Sequence, residues 1–343
     1  MFPSKGFAVT STRRNFLGLS LLGLASAAVG CSTAGGASGA ETRTLRYQGW
    51  AGDVSLPELA ADLGYLGDVK LEWVGNTTSG PQDIQSAATG QVDFGGAFNG
   101  AVVKLKAAGA PIRSVIGYYG ADEFAYNGFY VPEDSPIRTA RDLIGKKVGM
   151  NTLGAHHEAM LGIYLKRNGL SPEEVKKVEP IALPPVNIEQ SVRQGQIEVG
   201  VLGGILRDKA LEKGGLRKLF SDFDLLGAFT AGTYVFTEKF LRDNPNTVRT
   251  FVSGVARAIE WSRTTPREQV VERKVAILTG RGRNEDPAAL RYWKSTGVAQ
   301  KGGRITDEEL NVWIDWLAER GEIAKAQVKV TDLYTNDFNE LAR

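Results

Sequence analysis

From Leu45 onward, short apolar runs alternate with longer amphipathic stretches, and this alternation constrains the fold more than any other feature of the chain. A strand, a helix and a second strand in succession force a parallel pairing with the helix laid on one sheet face, so the pattern predicts an α/β protein built from βαβ units. Strands are expected at Leu45-Arg46-Tyr47, Val69 to Val74, Val92-Asp93-Phe94 and Ile112 to Tyr118. The intervening helices run from Leu56 to Leu63, from Pro81 to Thr89, and up to Ala108, with Gly95 to Gly100 as a loop. Pro57 and Pro81 fall in first turns, where a missing N–H costs nothing.

A second set of units begins near Gly128, with strands at Phe129-Tyr130-Val131, Lys147 to Met150 and Ile197 to Leu202, and a helix after Ile181-Ala182-Leu183 that runs through Val192. Its long helix, Ala155 to Asn168, stops at Gly169, a natural C-terminal cap. Tyr234-Val235-Phe236 reads as a returning strand, and the remainder is chiefly helical. Leu310, Trp313, Ile314 and Leu317 recur at helical spacing and predict core packing. A length of 343 residues suits about two domains of ordinary size.

The first forty residues read as a targeting segment, outside the fold. Ser11-Thr12-Arg13-Arg14-Asn15-Phe16-Leu17 resembles the twin-arginine export signal, and the apolar stretch from Phe16 to Val29 falls short of the roughly 20 residues a spanning helix needs. The stretch ends Ala28-Val29-Gly30-Cys31, which resembles the lipobox of bacterial lipoproteins. Residues 1–30 are thus expected as a signal peptide, Cys31 as the site of lipidation and anchoring to the membrane, and 31–40, all small residues after the cysteine, as a flexible tether. Ordinary signal cleavage, with Cys31 discarded or free, is the alternative.

Charge placement excludes one class of partner. The formal charge of +2 comes from the leader: setting aside Lys5, Arg13 and Arg14 takes the 41 basic residues to 38, against 39 acidic. The body is near neutral, so no nucleic-acid partner is expected. No Gly-x-Ser-x-Gly elbow, phosphate loop or dinucleotide fingerprint is present, and the single cysteine lies in the leader. The reading is therefore of a binding protein, not an enzyme, with no catalytic residue and no cofactor.

Several stretches carry a family resemblance. They are Asp134-Ser135-Pro136-Ile137-Arg138 through Asp142-Leu143-Ile144-Gly145-Lys146-Lys147-Val148-Gly149, Gly80-Pro81-Gln82, Gly90-Gln91-Val92-Asp93-Phe94-Gly95, Asn168-Gly169-Leu170-Ser171-Pro172 and Leu183-Pro184-Pro185. In order and spacing the chain resembles the ABC transporter substrate-binding proteins that include aliphatic sulfonate, taurine and nitrate binders and their thiamine-pyrimidine-synthase-like relatives. The resemblance implies a two-lobed periplasmic-binding-protein type 2 (Venus-flytrap) fold, each lobe a mixed sheet flanked by helices. Residues 41–125 and 235–343 would form the first lobe and 126–234 the second, with crossings near Ala125–Phe129 and Ala231–Tyr234. It further implies a periplasmic or extracytoplasmic monomer that delivers a small anionic ligand to an ABC permease with its ATPase. The competing functions are an extracytoplasmic sensor of the same ligand class and a pyrimidine-synthase-like enzyme, which an exported chain would place away from its pathway.

In open α/β sheets, ligands bind beyond the carboxyl ends of the strands. The loops expected there hold the candidate ligand-binding residues Gln48, Trp50, Gly52, Thr78, Ser79, Gly80, Phe98, Asn99, Asn151, Thr152, Gly154, His156 and Gly204. These loops contain no Lys or Arg and several lead into helices, so backbone N–H groups at helix starts could hold an anion. Thr78, Ser79 and Thr152 could equally be helix caps, and Trp50 and Phe98 could be either ligand platforms or core. His156 and His157 are adjacent, about 100° apart on a helix, so no metal site is expected; one of them could donate a hydrogen bond to ligand.

Overall fold

The computed structural model describes residues 40–342; the expected signal peptide and Cys31 lie outside the described residues. The chain begins with β1 (Thr44–Gly49), α1 (Leu56–Asp62), β2 (Lys70–Asn76), α2 (Gly80–Ala88), β3 (Phe94–Phe98), α3 (Asn99–Ala107) and β4 (Ile112–Ala121). It continues through β5 (Asn127–Pro132), β6 (Lys147–Met150), α4 (His156–Arg167), α5 (Pro172–Val175), β7 (Glu179–Ala182) and α6 (Pro185–Arg193). Then follow β8 (Val199–Gly203), α7 (Gly204–Glu212), β9 (Leu216–Ser221) and α8 (Asp222–Leu226). The last group is β10 (Phe229–Thr237), α9 (Glu238–Asp243), α10 (Pro245–Thr264), α11 (Arg267–Gly280), α12 (Asp307–Glu319) and α13 (Val330–Leu333).

The strands fall into two sets, giving two α/β lobes. In one, β1 pairs with β2 in parallel, and β10 lies antiparallel between β3 and β4. In the other, the order is β7-β6-β8-β5-β9, with parallel pairs at β6/β7 and β6/β8 and antiparallel pairs around β5. Val199 to Leu202 are buried along their length, as expected of a strand covered by helices on both faces. Local sequence starts several helices: Ser55 with Glu58, Ser171 with Glu174 and Thr306 with Glu309 form reciprocal capping boxes. Leu310, Trp313, Ile314 and Leu317 are all core residues of α12.

The chain passes between the two sets at 122–126 and again at 227–228. Residues Ala231–Tyr234, expected as the second crossing, lie inside β10, where Tyr234 is opposite both Gly96 and Ile116. The turn is made earlier, by Gly227 at φ 72 immediately after α8. The first passage is held from the far lobe: buried Arg207 on α7 donates to the carbonyls of Phe124 at 2.6 Å and Tyr126 at 3.1 Å.

The Gly95–Gly100 stretch is not a loop: β3 runs through Phe98, and α3 starts at Asn99. Its glycines are required by packing. A Cβ on Gly95 would lie 2.5 Å from the backbone oxygen of Asp83, and one on Gly96 would lie 2.8 Å from the Tyr118 ring. The close approach expected of these glycines is therefore to α2 and a neighbouring ring, which lets helix and strand pack at full density. Elements α7, β9 and α8 also extend beyond the sequence expectation. On α7 the buried face carries Arg207 and Ala210, a stripe without the usual apolar periodicity.

Candidate functional site

A cavity of about 400 Å³ lies between the two lobes, at the ends of their strands. Seven of the candidate residues line it: Trp50, Gly80, Phe98, Asn151, Thr152, His156 and Gly204. Ser79 stands beside it, with its hydroxyl donating to the Thr152 hydroxyl across 3.4 Å, a contact between the lobes. The others do not reach the lining. Asn99 is fully buried, its Nδ2 donating to the Thr230 carbonyl. Gly52 and Gly154 sit at positive φ, and each donates its N–H to a carboxylate, Glu285 and Glu158 respectively. Thr78 is exposed, and the Gln48 side-chain oxygen is buried without a hydrogen bond among the described residues.

Of the helices that start on this cavity, five share one property at their caps. The N-cap residues of α2, α3, α4, α6 and α7 are Ser79, Phe98, Ala155, Pro184 and Gly203, and none makes a side-chain capping hydrogen bond. A sixth helix, α1, also starts on the cavity at Leu56 but is capped by Ser55; away from the cavity α5, α8, α9 and α12 are capped by a Ser or Thr side chain, and α10, α11 and α13 are not. Ser79 occupies the capping position but its hydroxyl is committed to Thr152, and Thr152 precedes α4 by too much to cap it. Each uncapped first turn presents free backbone donors and the positive end of a helix dipole.

The histidines belong to one hydrogen-bonded cluster. Fully buried Asp222 accepts from the backbone N–H of Asn127 at 3.0 Å and of Phe223 at 2.8 Å, and from the Asn127 side-chain amide at 2.9 Å. That last bond turns the Asn127 oxygen toward His157, whose Nε2 lies 3.2 Å away and is its donor. His156 Nε2 lies 3.2 Å from Asp222, its Nδ1 lies 3.5 Å from the Tyr119 hydroxyl, and its ring stacks on Phe98 of the other lobe at 5.2 Å. Burial and the neighbouring His156 hold His157 neutral, its pKa down at about 3 although Asp222 opposes the shift. The two rings therefore do not converge on a metal, and among the described residues no metal-ligating cluster of three His, Cys, Asp or Glu occurs.

Two basic side chains on the lining have no counterpart in the loops read from the sequence. Lys274 of α11 donates to Asp53 at 3.3 Å and to the Val54 carbonyl at 2.8 Å; Lys294 pairs with Asp208 at 3.1 Å. Both come from the C-terminal helical region, remote from any strand end, and nothing in their local sequence marks them. Lys274 is neutralised by Asp53, whereas Lys294 shares Asp208 with Arg207 at 2.9 Å, which leaves one net positive charge beside the helix starts. The Lys294–Asp208 pair joins the lobes, as do Arg291 with Glu212 at 2.9 Å and Lys166 with Glu319 at 2.5 Å.

The family described as NMT1/THI5 like matches residues 59–269, more than half of the chain. The chain belongs to this family. Within the NMT1/THI5-like proteins it is 28% identical over 174 residues to the aliphatic sulfonates-binding protein of Escherichia coli (strain K12), covering 50% of this chain and 52% of that one. It is 25% identical over 228 residues to the 4-amino-5-hydroxymethyl-2-methylpyrimidine phosphate synthase of Candida albicans (strain WO-1), covering 62% and 65%. The chain thus matches between half and two thirds of the length of these relatives. In three dimensions it resembles the alkanesulfonate-binding protein SsuA from Xanthomonas axonopodis pv. citri bound to MOPS, with a TM-score of 0.67 at 21% identity over 87% of this chain and 99% of that one. That likeness bears on fold: a periplasmic-binding-protein architecture of sheets flanked by helices.

Proposed function

We propose that this protein is the extracytoplasmic solute-binding component of an ABC importer and captures a small anion in the cleft between its lobes. The observation that carries the reading is the set of five helices that start on one cavity without side-chain caps. Converging N-termini supply oriented donors and positive potential with no further basic side chain, which suits a sulfonate, carboxylate or nitrate group. The E. coli and Xanthomonas relatives, both sulfonate binders by name, support the ligand class. Delivery follows from closure: ligand bridging both lobes favours the closed form, and a permease that reads that form distinguishes loaded from empty protein. A thermal-shift screen of sulfonates, taurine, nitrate, carboxylates and small heterocycles tests this. Ligand at 100 times its dissociation constant should stabilise by about 2.7 kcal/mol. Silence across every class overturns the reading, and recovery of a chemically altered compound replaces a binder with an enzyme.

The membrane attachment is part of the same proposal. Cys31 at the end of the leader supports a diacylglycerol anchor, with 32–40 as the tether. Cys31→Ser is expected to move the protein from the membrane to the soluble fraction; unchanged membrane fractionation refutes the anchor.

A further inference from the structure

We propose that the cleft selects a monoanion bearing an aromatic ring, the ring lodged against Trp50 and Phe124 and the charged head at the uncapped helix starts. This rests on the cleft being the solute site and adds the ligand's body to the head group already argued.

Size is the first argument. A cavity of about 400 Å³ falls within the range of roughly 300–1,000 Å³ typical of sites that enclose multi-ring ligands, and it far exceeds what a nitrate or a methanesulfonate would fill. A small anion would leave most of the wall in contact with water.

The chemistry of that wall is the second. Besides the helix starts, it is built from rings, and most are already partnered. Phe98 stacks on His156 at 5.2 Å, Tyr118 stacks on Tyr234 at 4.2 Å, and Arg207 covers Tyr126 at 3.9 Å. Trp50 and Phe124 differ. Both line the cavity, and among the described residues neither ring packs on another aromatic. Phe124 is 53% exposed, on the segment joining the lobes. An unpartnered Trp and an exposed Phe at one cavity are costly to leave in water and give a planar ligand offset-stacked or edge-on contacts.

Charge accounting is the third. Lys274 and Lys294 are the lysines on the lining; Lys274 pairs with Asp53, and Lys294 shares Asp208 with buried Arg207, which holds the same carboxylate at 2.9 Å. That cluster keeps one net positive charge and the Lys274–Asp53 pair none, so the side chains offer charge for one acidic group, and a single negative head is favoured over a diacid.

Isothermal titration of the purified full chain tests the proposal with methanesulfonate, benzenesulfonate, naphthalene-2-sulfonate and the neutral isostere naphthalene-2-sulfonamide. Affinity is expected to rise in that order among the sulfonates, at least tenfold from first to last, with the sulfonamide at least tenfold weaker than its sulfonate. Trp50→Ala and Phe124→Ala should each weaken naphthalene-2-sulfonate several-fold more than they weaken methanesulfonate; Phe124 is exposed enough that its replacement keeps the fold. Methanesulfonate or nitrate binding as tightly as the ring sulfonates overturns the ring selectivity while leaving solute binding intact. Equal affinity for sulfonate and sulfonamide overturns the anionic head. Silence toward all sulfonates and nitrate overturns the proposed class, and only silence across the wider screen removes the solute-binding reading with it.

Discussion

Replacing Asp83 with asparagine is expected to stabilise the protein by about 4 kcal/mol more at pH 8 than at pH 4. Asp83 lies in the first turn of α2 behind the cavity wall, only 4% exposed. Its Oδ2 accepts from the Gly96 N–H at 2.7 Å, while Oδ1 is buried with no partner. Burial pushes the carboxyl up to about 7 from the usual 3.8, and the single backbone hydrogen bond only partly offsets this. A carboxyl raised in the folded state favours folding most while protonated, so wild-type stability falls as pH rises from about 4 to 7. Asparagine keeps the shape and an acceptor for Gly96, and does not ionise. Urea denaturation of both proteins at pH 4 and pH 8 measures the difference. An advantage that does not change with pH would show that Asp83 does not carry an ionisation penalty.

The opposite slope is expected from His157. Its folded-state pKa of about 3 lies below the usual 6.5, so the unfolded chain takes up a proton first as pH falls. Its contribution to stability is fully present above pH 6.5 and is lost progressively toward pH 3. Since the ring retains some contact with solvent, the loss between pH 7 and pH 4 is about 2–3 kcal/mol rather than the full value of the shift. His157→Gln can still donate to the Asn127 oxygen and removes the titration. The two groups therefore oppose each other across pH 4–6.5, and the wild-type profile should be flatter than either variant's. With Asp83→Asn, stability should climb with pH over this range; with His157→Gln it should decline. Parallel slopes for the two variants would show that one of these assignments is wrong.

Much of the candidate site follows from a rule that needs only local sequence. Junctions where a strand ends and a helix begins face the cleft in open α/β sheets, and Gly80, Phe98, Asn151, Thr152, His156 and Gly204 line the cavity because they occupy such junctions. Asn99 has the right position and polarity for the cleft but turns inward to Thr230. Local sequence likewise does not decide whether Ser79 caps α2 or serves the cleft. The answer depends on Thr152, 73 residues away in sequence and 3.4 Å away in space.

Local sequence is enough to specify the α/β class and the order of most strands and helices. These depend on periodicity and on caps such as Ser55/Glu58 and Thr306/Glu309, which act within a turn of their own residue. Tertiary structure alone decided which groups meet. Lys274 and Lys294 reach the cavity from the C-terminal region, Asp222 and Asn127 meet across 95 residues of chain beside the histidines, and Arg207 ties down the first interlobe passage. Their charges are tolerated because each has found a partner on another element, and the burial that makes such pairing necessary is a property of the packed fold.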